Sequence, residues 1–343
     1  MGELTVMEIC AGAGGQALGL EQAGFSHVAA IDIDPDACET LRRNRGADWK
    51  IIEGDVASVD GHGFGGVDLF AGGVPCPPFS IAGRQLGDAD DRDLFPEALR
   101  LIGEIRPRAV LLENVRGLAT ARFDGYRRQV LQRLADLGFR AWWQLVNASE
   151  HGVPQLRPRF VLVALTLPWA DGFRWPDPLS SPPPTVGATL ADLMGSAGWP
   201  GAAGWARRAH GIAPTIVGGS KKHGGPDLGP TRARTAWREL GVDGLGIADS
   251  PPGPGFPADR PPKLTVPMVA RLQGFPDSWQ FTGRKTAAYR QVGNAFPPPV
   301  ARALGTAIAA ALNSGRSAET GPQVTHADGN DQNADYPPDG LLR

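Results

Sequence analysis

Residues 8–20 read EICAGAGGQALGL: an apolar run, a turn holding three glycines, then Ala, Leu and Gly at helical spacing. A strand that enters a helix through glycines leaves backbone N–H groups able to approach a ligand at the carboxyl edge of a sheet. Gly12, Gly14 and Ala17 satisfy a permissive G-x-G-x-x-G/A spacing, and Asp32 stands twenty residues beyond Gly12. An acid there suits the two hydroxyls of a ribose. Enzymes that use NAD and enzymes that use S-adenosylmethionine share both features, so the turn alone leaves the two open. The stretch EGDVASVD (53–60) adds Asp55 after a third apolar run, where a carboxylate accepts from an adenine amino group. With it, an adenosine-containing ligand is favoured.

Outward from this turn the pattern repeats. The apolar runs LTVMEIC (4–10), HVAAIDI (27–33), VDLFAGG (67–73) and AVLLENV (109–115) are each followed by a segment of helical periodicity. Strand and helix alternating at this spacing predict an α/β fold, a doubly wound Rossmann-like parallel sheet with helices on both faces. AWWQLVNA (141–148) and RFVLVALTL (159–167) are expected to end the sheet as neighbouring strands. The composition then shifts to Pro, Gly and Trp, and the stiff connector WPDPLSSPPPT (175–185) sets a boundary near residue 180. Residues 181–287 show little periodicity and read as a smaller, loop-rich domain. The segment 288–313 carries prolines at a helix start and an amphipathic helix that needs a sheet face, so the chain is expected to return to the first domain, 1–180, and complete it. The second domain is then an insertion. The tail 314–343 is polar, with five acidic and two basic residues, and is expected to be disordered.

At 343 residues the chain buries a sufficient core without staples. Three widely spaced cysteines, Cys10, Cys38 and Cys76, form no C-x-x-C pair and no metal-ligand spacing, as expected of a reduced, cytoplasmic protein without metal. No apolar run reaches eighteen residues and the start lacks a signal-peptide pattern, so no membrane association is expected. The net charge of -2 conceals a basic region: Arg207, Arg208, Lys221, Lys222, Arg232, Arg234 and Arg238 fall within 201–238.

Cys76 follows the strand VDLFAGG at the same carboxyl edge as the glycine turn, and Pro75, Pro77 and Pro78 restrict where its thiol points. Glu113 closes another apolar strand, a costly place for a carboxylate unless something uses it. In QLRPRF (155–160), Arg157 and Arg159 share one side of a strand. A thiol, an acid and arginines beside an adenosine site suit one chemistry. C5 of cytosine is a poor nucleophile; a thiolate adding to C6 makes it enamine-like, and an acid and an arginine receive the charge at N3 and O2.

These stretches together resemble the bacterial C5-cytosine-specific DNA methyltransferases. AGAGG is similar to that family's cofactor loop, GGVPCPPFSIAGRQLG (72–87) to its nucleophile loop and ENVRGL (113–118) to its glutamate motif. QLRPRF matches the paired arginines, and KLTVPMVARLQGFPDSW (263–279) and QVGNAFPPPVARAL (291–304) the last two motifs, in the family's order from about residue 5 to 312. The resemblance implies a SAM-dependent DNA (cytosine-5)-methyltransferase with an inserted target-recognition domain. It implies base flipping, S-adenosyl-L-methionine as cofactor and double-stranded DNA as partner. It makes Cys76 the nucleophile and Glu113 the group that protonates N3, with Arg159, and Arg157 nearby, steadying the ring. It places Asp32 on the ribose, Ile33 on the adenine face, Asp55 and Val56 on the adenine edge, and Pro75 and Asn294 against the methionine part. Arg84 and Arg92 would close over DNA. Cys10 stands where the family often has Phe, and Pro77 where it often has Gln, which loosens adenine packing and removes a DNA contact. In the inserted domain, PTIVGGSKKHGGPDLGPTRAR (214–234) is expected to enter a groove, with Lys221, Lys222, Arg232 and Arg234 reaching phosphates or guanine edges. A monomer in the cytoplasm at the nucleoid is expected, belonging to a restriction–modification system with a separate endonuclease or acting as an orphan methylase. The alternative is an RNA (tRNA) cytosine-5 methyltransferase of the same fold, although the Cys-Phe-Thr tripeptide that marks that branch is absent.

Overall fold

A computed structural model describes residues 3–75, 93–219 and 226–319. The predicted strands form one seven-stranded sheet. β1 (Leu4–Ile9), β2 (Phe25–Asp32), β3 (Ile51–Glu53), β4 (Leu69–Gly72) and β5 (Ala109–Val115) are parallel, and β6 (Phe139–Asn147) and β7 (Pro158–Thr166) close one edge. The order is β3-β2-β1-β4-β5-β7-β6, so the chain inserts β7 antiparallel between β5 and β6. This places Arg157 and Arg159, which enter β7 at its beginning, beside the carboxyl end of β5 where Glu113 lies. A parallel β7 would carry them to the far edge of the sheet.

Side-chain alternation divides the core. Leu4 and Val6 of β1, Ala109 and Leu111 of β5 and Val161, Val163 and Leu165 of β7 face α1 (Gly15–Gln22) and α10 (Pro298–Glu319). Met7, Ile9, Val110, Leu112 and Leu162 face α3 (Phe95–Ile105) and α4 (Asp124–Asp136). Val300, Leu304, Ile308 and Leu312 of α10 are buried on the first face, each contributing about 1.5–3 kcal/mol. Gly19 lets the two helices touch, because a Cβ there would lie 2.4 Å from the carbonyl of Pro298. The last helix runs past Asn313 to Glu319, a correction to the expected start of the tail; residues 320–343 lie outside the described ones.

Residues 181–287 hold more helix than their weak periodicity suggested: α5 (Val186–Gly195), α6 (Ala202–Arg208), α7 (Thr231–Glu239) and α8 (Val266–Leu272), followed by α9 (Lys285–Asn294). Trp199, Trp205 and Trp237 are buried among these helices, in a cluster that also takes in Leu41 of α2 (Pro35–Arg45) and Leu18 of α1. Large aromatics supply the area that short helices lack. Among the described residues no helix is long and apolar enough to cross a membrane.

Candidate active site

β1 is followed by Cys10, whose φ of 49° is left-handed, a conformation that costs a non-glycine residue about 1–3 kcal/mol and collects at functional sites. The turn it starts carries Gly12 at φ 52° and Gly14 at φ 85°. The Gly12 amide donates to Asp32 Oδ2 at 2.7 Å and the Asp34 amide to Oδ1 at 2.8 Å, so Asp32 binds the turn to the end of β2. A Cβ on Gly12 would meet nothing within 4 Å, whereas one on Gly14 would strike Leu41 and Trp279. Gly12 opens the cleft; Gly14 lets a helix and an indole pack. Trp279 Nε1 also donates to the Ala13 carbonyl at 3.1 Å, fixing the turn from the other side.

The cleft is lined by Cys10, Gly12, Asp32, Glu113 and Asn294 among others, so five of the predicted residues converge. Gly14, Ile33, Asp55, Val56, Pro75, Arg157 and Arg159 are not part of its lining. Ile33 is 67% exposed just beyond Asp32, an apolar surface at the carboxyl edge. Asp55 caps a short helical turn through the Ala57 amide at 2.9 Å, and Val56 is buried in the core.

Glu113 and Arg159 meet as the strand register requires. Glu113 pairs with Val161 and Val115 with Arg159, which makes Glu113 and Arg159 diagonal neighbours on one face. Arg159 Nε lies 2.5 Å from Glu113 Oε1, with both side chains nearly buried. Burial lowers the Arg159 guanidinium from its ordinary value and Glu113 opposes that. The other oxygen, Oε2, would lie 3.5 Å from a Cβ on Gly73, which places Glu113 beside a residue three before Cys76 in sequence. Arg157 turns elsewhere: fully buried, it donates to the carbonyls of Ile216, Gly293 and Ala295. Cys76, Arg84 and Arg92, and in the inserted domain Lys221 and Lys222, lie outside the described residues. Arg232 is exposed on α7, and Arg234 lines a surface groove with Arg238 and Arg260.

Sequence reasoning missed three groups. Asn114 Nδ2 donates to the Val74 carbonyl at 2.7 Å and so holds the chain two residues before Cys76. Asp93 accepts from Tyr126 Oη at 2.7 and 2.8 Å and from the Phe95 amide. The Leu94 amide donates to the Pro75 carbonyl at 3.3 Å, so the described residues on either side of 76–92 meet. Only the polarity of Asn114 inside an apolar strand signalled such a role.

The third is Glu8, buried on β1 and lining the cleft, with Oε1 lacking a hydrogen-bond partner and Oε2 3.4 Å from His27 Nε2. Burial, then the charge of Asp32, pushes the Glu8 carboxyl well above the usual carboxylate range. Burial pulls His27, stacked on Trp49, down to about 4. The folded chain thus keeps a proton on Glu8 that the unfolded chain releases above about pH 4.5, a contribution lost as pH rises. It refuses a proton on His27 that the unfolded chain takes below about pH 6.5, a contribution lost as pH falls. Between these values the slopes oppose. Glu8→Gln removes one of them, so urea unfolding of that variant is expected to show a gain in stability relative to wild type as pH rises from 4.5 to 6.5, by up to about 1.4 kcal/mol per pH unit. Parallel curves would mean that Glu8 is ionised in the fold.

Asp60 and His62, both exposed, and the half-buried Glu104 offer ligand atoms within 4.8 Å of one another. Its oxygens are already spent, Glu104 on Arg100 and the Gly61 amide and Asp60 on the His62 amide.

With this geometry in view, the family model for C-5 cytosine-specific DNA methylase matches residues 4–310. The chain belongs to that family. It is a DNA cytosine-5 methyltransferase, which sets aside the RNA alternative. Among its relatives, the Type II methyltransferase M.NaeI of Lentzea aerocolonigenes is 61% identical over 317 residues, 91% of this chain and 76% of that one. M.NgoMIV of Neisseria gonorrhoeae is 52% identical over 314 residues, 90% and 98% of the two chains. The crystal structure of a Spodoptera frugiperda DNMT2 mutant superposes with a TM-score of 0.61 at 16% identity, covering 89% of the methylase and 99% of that chain, and shows the shared fold. The sheet is that of the SAM-dependent methyltransferases.

Proposed function

We propose that the cleft seats S-adenosylmethionine beside a cytosine turned out of duplex DNA, and that Cys76 attacks this base at C6. The convergence of Glu113 and Arg159 beside Gly73, three residues before Cys76 and in contact with the cleft of Gly12 and Asp32, carries the reading. The donor set suits the cofactor. Its ribose hydroxyls and cationic methionine part meet an acid-lined cleft in which one buried oxygen of Glu8 lacks a partner and Gly12 faces open space. Asp32 would hold the ribose, Ile33, Asp55 and Val56 the adenine, and Pro75 and Asn294 the methionine end. Bound there, S-adenosylmethionine supplies an electrophilic methyl group.

The chain's own residues do the rest. Extruding the base costs a few kcal/mol, offset by contacts in the pocket. As the Cys76 thiolate adds to C6, charge moves onto N3 and O2. Glu113 delivers a proton to N3 and Arg159 stabilises O2, so C5 becomes nucleophilic. Once C5 carries the methyl group, its proton passes to water, the thiolate departs from C6 and the N3 proton returns to Glu113, which restores the ring and the enzyme. Neither remaining thiol can substitute: burial and the nearby acids raise Cys10 far above its ordinary value, and Cys38 is pushed up to about 11.

The Type II names of the relatives support a role in a restriction–modification system with a separate endonuclease. The enzyme would act as a monomer on the nucleoid, Arg84, Arg92, Lys221, Lys222, Arg232 and Arg234 gripping the duplex. Bisulfite sequencing of DNA from cells expressing the full-length protein tests this. Cytosines protected at one fixed position of one recurring sequence are expected, and protection no higher than in cells without the protein would refute it.

A further inference from the structure

Among the described residues, Arg157 is a buried cation that forms no ion pair. Its side chain has no exposure, and the acid closest to it in the chain's pattern, Glu113, is engaged by Arg159. Stripping a guanidinium of water costs several kcal/mol unless fixed dipoles replace the solvent. Here the dipoles are carbonyls: Ile216 accepts from Nη1 at 2.7 Å, and Gly293 and Ala295 accept from Nη2 at 2.8 and 2.9 Å. Gly293 and Ala295 lie at the C-terminal end of α9, where carbonyls have no partner within the helix and the helix dipole favours a cation.

Two more fully buried side chains complete the junction. Gln273 Nε2 donates to Val292 and Ala295 at 3.1 and 2.9 Å, while Gln155 accepts the Ile216 amide at 2.9 Å and donates to Gln273 Oε1. The two backbones so joined nearly touch, because a Cβ on Gly293 would lie 2.4 Å from the Gly218 nitrogen. Asn294 Nδ2 also reaches the Gly219 carbonyl at 3.2 Å. One of these backbones is a wall of the cofactor cleft, through Asn294, Ala295 and Phe296. The other, 214–219, leads directly into Lys221 and Lys222.

We propose that Arg157, with Gln155 and Gln273, is a positioning residue that holds the cofactor wall against the target-reading segment, so that S-adenosylmethionine and DNA bind interdependently. It acts through Asn294 and Ala295 and does not touch the cytosine. The inference rests on the proposed seat for the cofactor. Wild-type enzyme without methyl transfer would sink that reading, whereas the variants below, compared with an active wild type, judge the positioning role alone.

Arg157→Met keeps the volume and removes the donors. We expect its KM for S-adenosylmethionine to rise about tenfold with kcat within about threefold of wild type. The dissociation constant of S-adenosylhomocysteine, measured with and without a DNA duplex, should lose most of the difference the duplex makes in wild type. Gln273→Met should shift both in the same direction if Arg157→Met does not fold, and Arg157→Lys, which keeps the charge and some of the donors, should recover part of the effect. A fall in kcat of about a hundredfold or more at unchanged KM would make Arg157 a base contact and overturn the proposal. So would a lowered Tm with KM, kcat and the duplex effect all unchanged, which is what a purely structural role predicts.

Discussion

Cys76→Ser is expected to bind duplex DNA and S-adenosylmethionine within a few-fold of wild type and to lower methyl transfer at least about a thousandfold. The hydroxyl of serine is not ionised near neutral pH and adds poorly to C6, so C5 never becomes nucleophilic. No other thiol can rescue the reaction. Cys10 lies in the cleft, but burial, and after it the charge of Asp32, keep it protonated. Cys38 is buried, donates to the Asp32 carbonyl at 3.3 Å and is held at about 11. The residues that flank 76–92 are held by groups the substitution leaves alone: Asn114 on Val74, and Leu94 on Pro75. Binding should therefore survive. Transfer of tritiated methyl groups to duplex DNA, measured beside the two dissociation constants, separates the outcomes. Turnover like wild type would remove Cys76 from the chemistry, and a loss of binding as large as the loss of rate would assign it to structure.

The sheet and the cleft were legible in the sequence to different depths, for physical reasons. Strands buried on both faces read as apolar runs, and glycines and acids that follow them necessarily fall at one edge, so Gly12, Asp32 and Glu113 could be brought together from spacing alone. Strand order cannot be read that way. That β7 lies between β5 and β6 is a long-range choice, and it is what carries Arg159 to Glu113. The pattern placed Arg157 and Arg159 alike on one side of a strand, but it could not reveal that one would find a carboxylate and the other three carbonyls from distant segments. Glu8 was hidden for the opposite reason: one acid in an apolar strand has no periodicity, and its role rests on His27 from the neighbouring strand. The inserted domain was read as loops because its helices are short and its core consists of tryptophans spaced far apart in sequence.

The second large effect is expected at the ion pair. On the proposed mechanism Glu113→Gln would remove the proton delivered to N3 and Arg159→Met the cation that faces O2, so each should lower kcat by about a hundredfold or more with little change in KM for S-adenosylmethionine. That signature is the opposite of the one expected for Arg157→Met, although both arginines belong to the same six residues of sequence. Stability gives an independent reading of the same contact. Both side chains are nearly buried, 12% and 11% exposed, and removing either leaves the other without its counter-charge, a change that costs about 3–5 kcal/mol. The double variant loses both charges together and should be destabilised by less than the sum of the single changes, by about 1–3 kcal/mol. Urea unfolding of the four proteins completes the cycle. Strict additivity would mean that the 2.5 Å contact carries no coupling, and Arg159 would then have to be held in place by something other than Glu113.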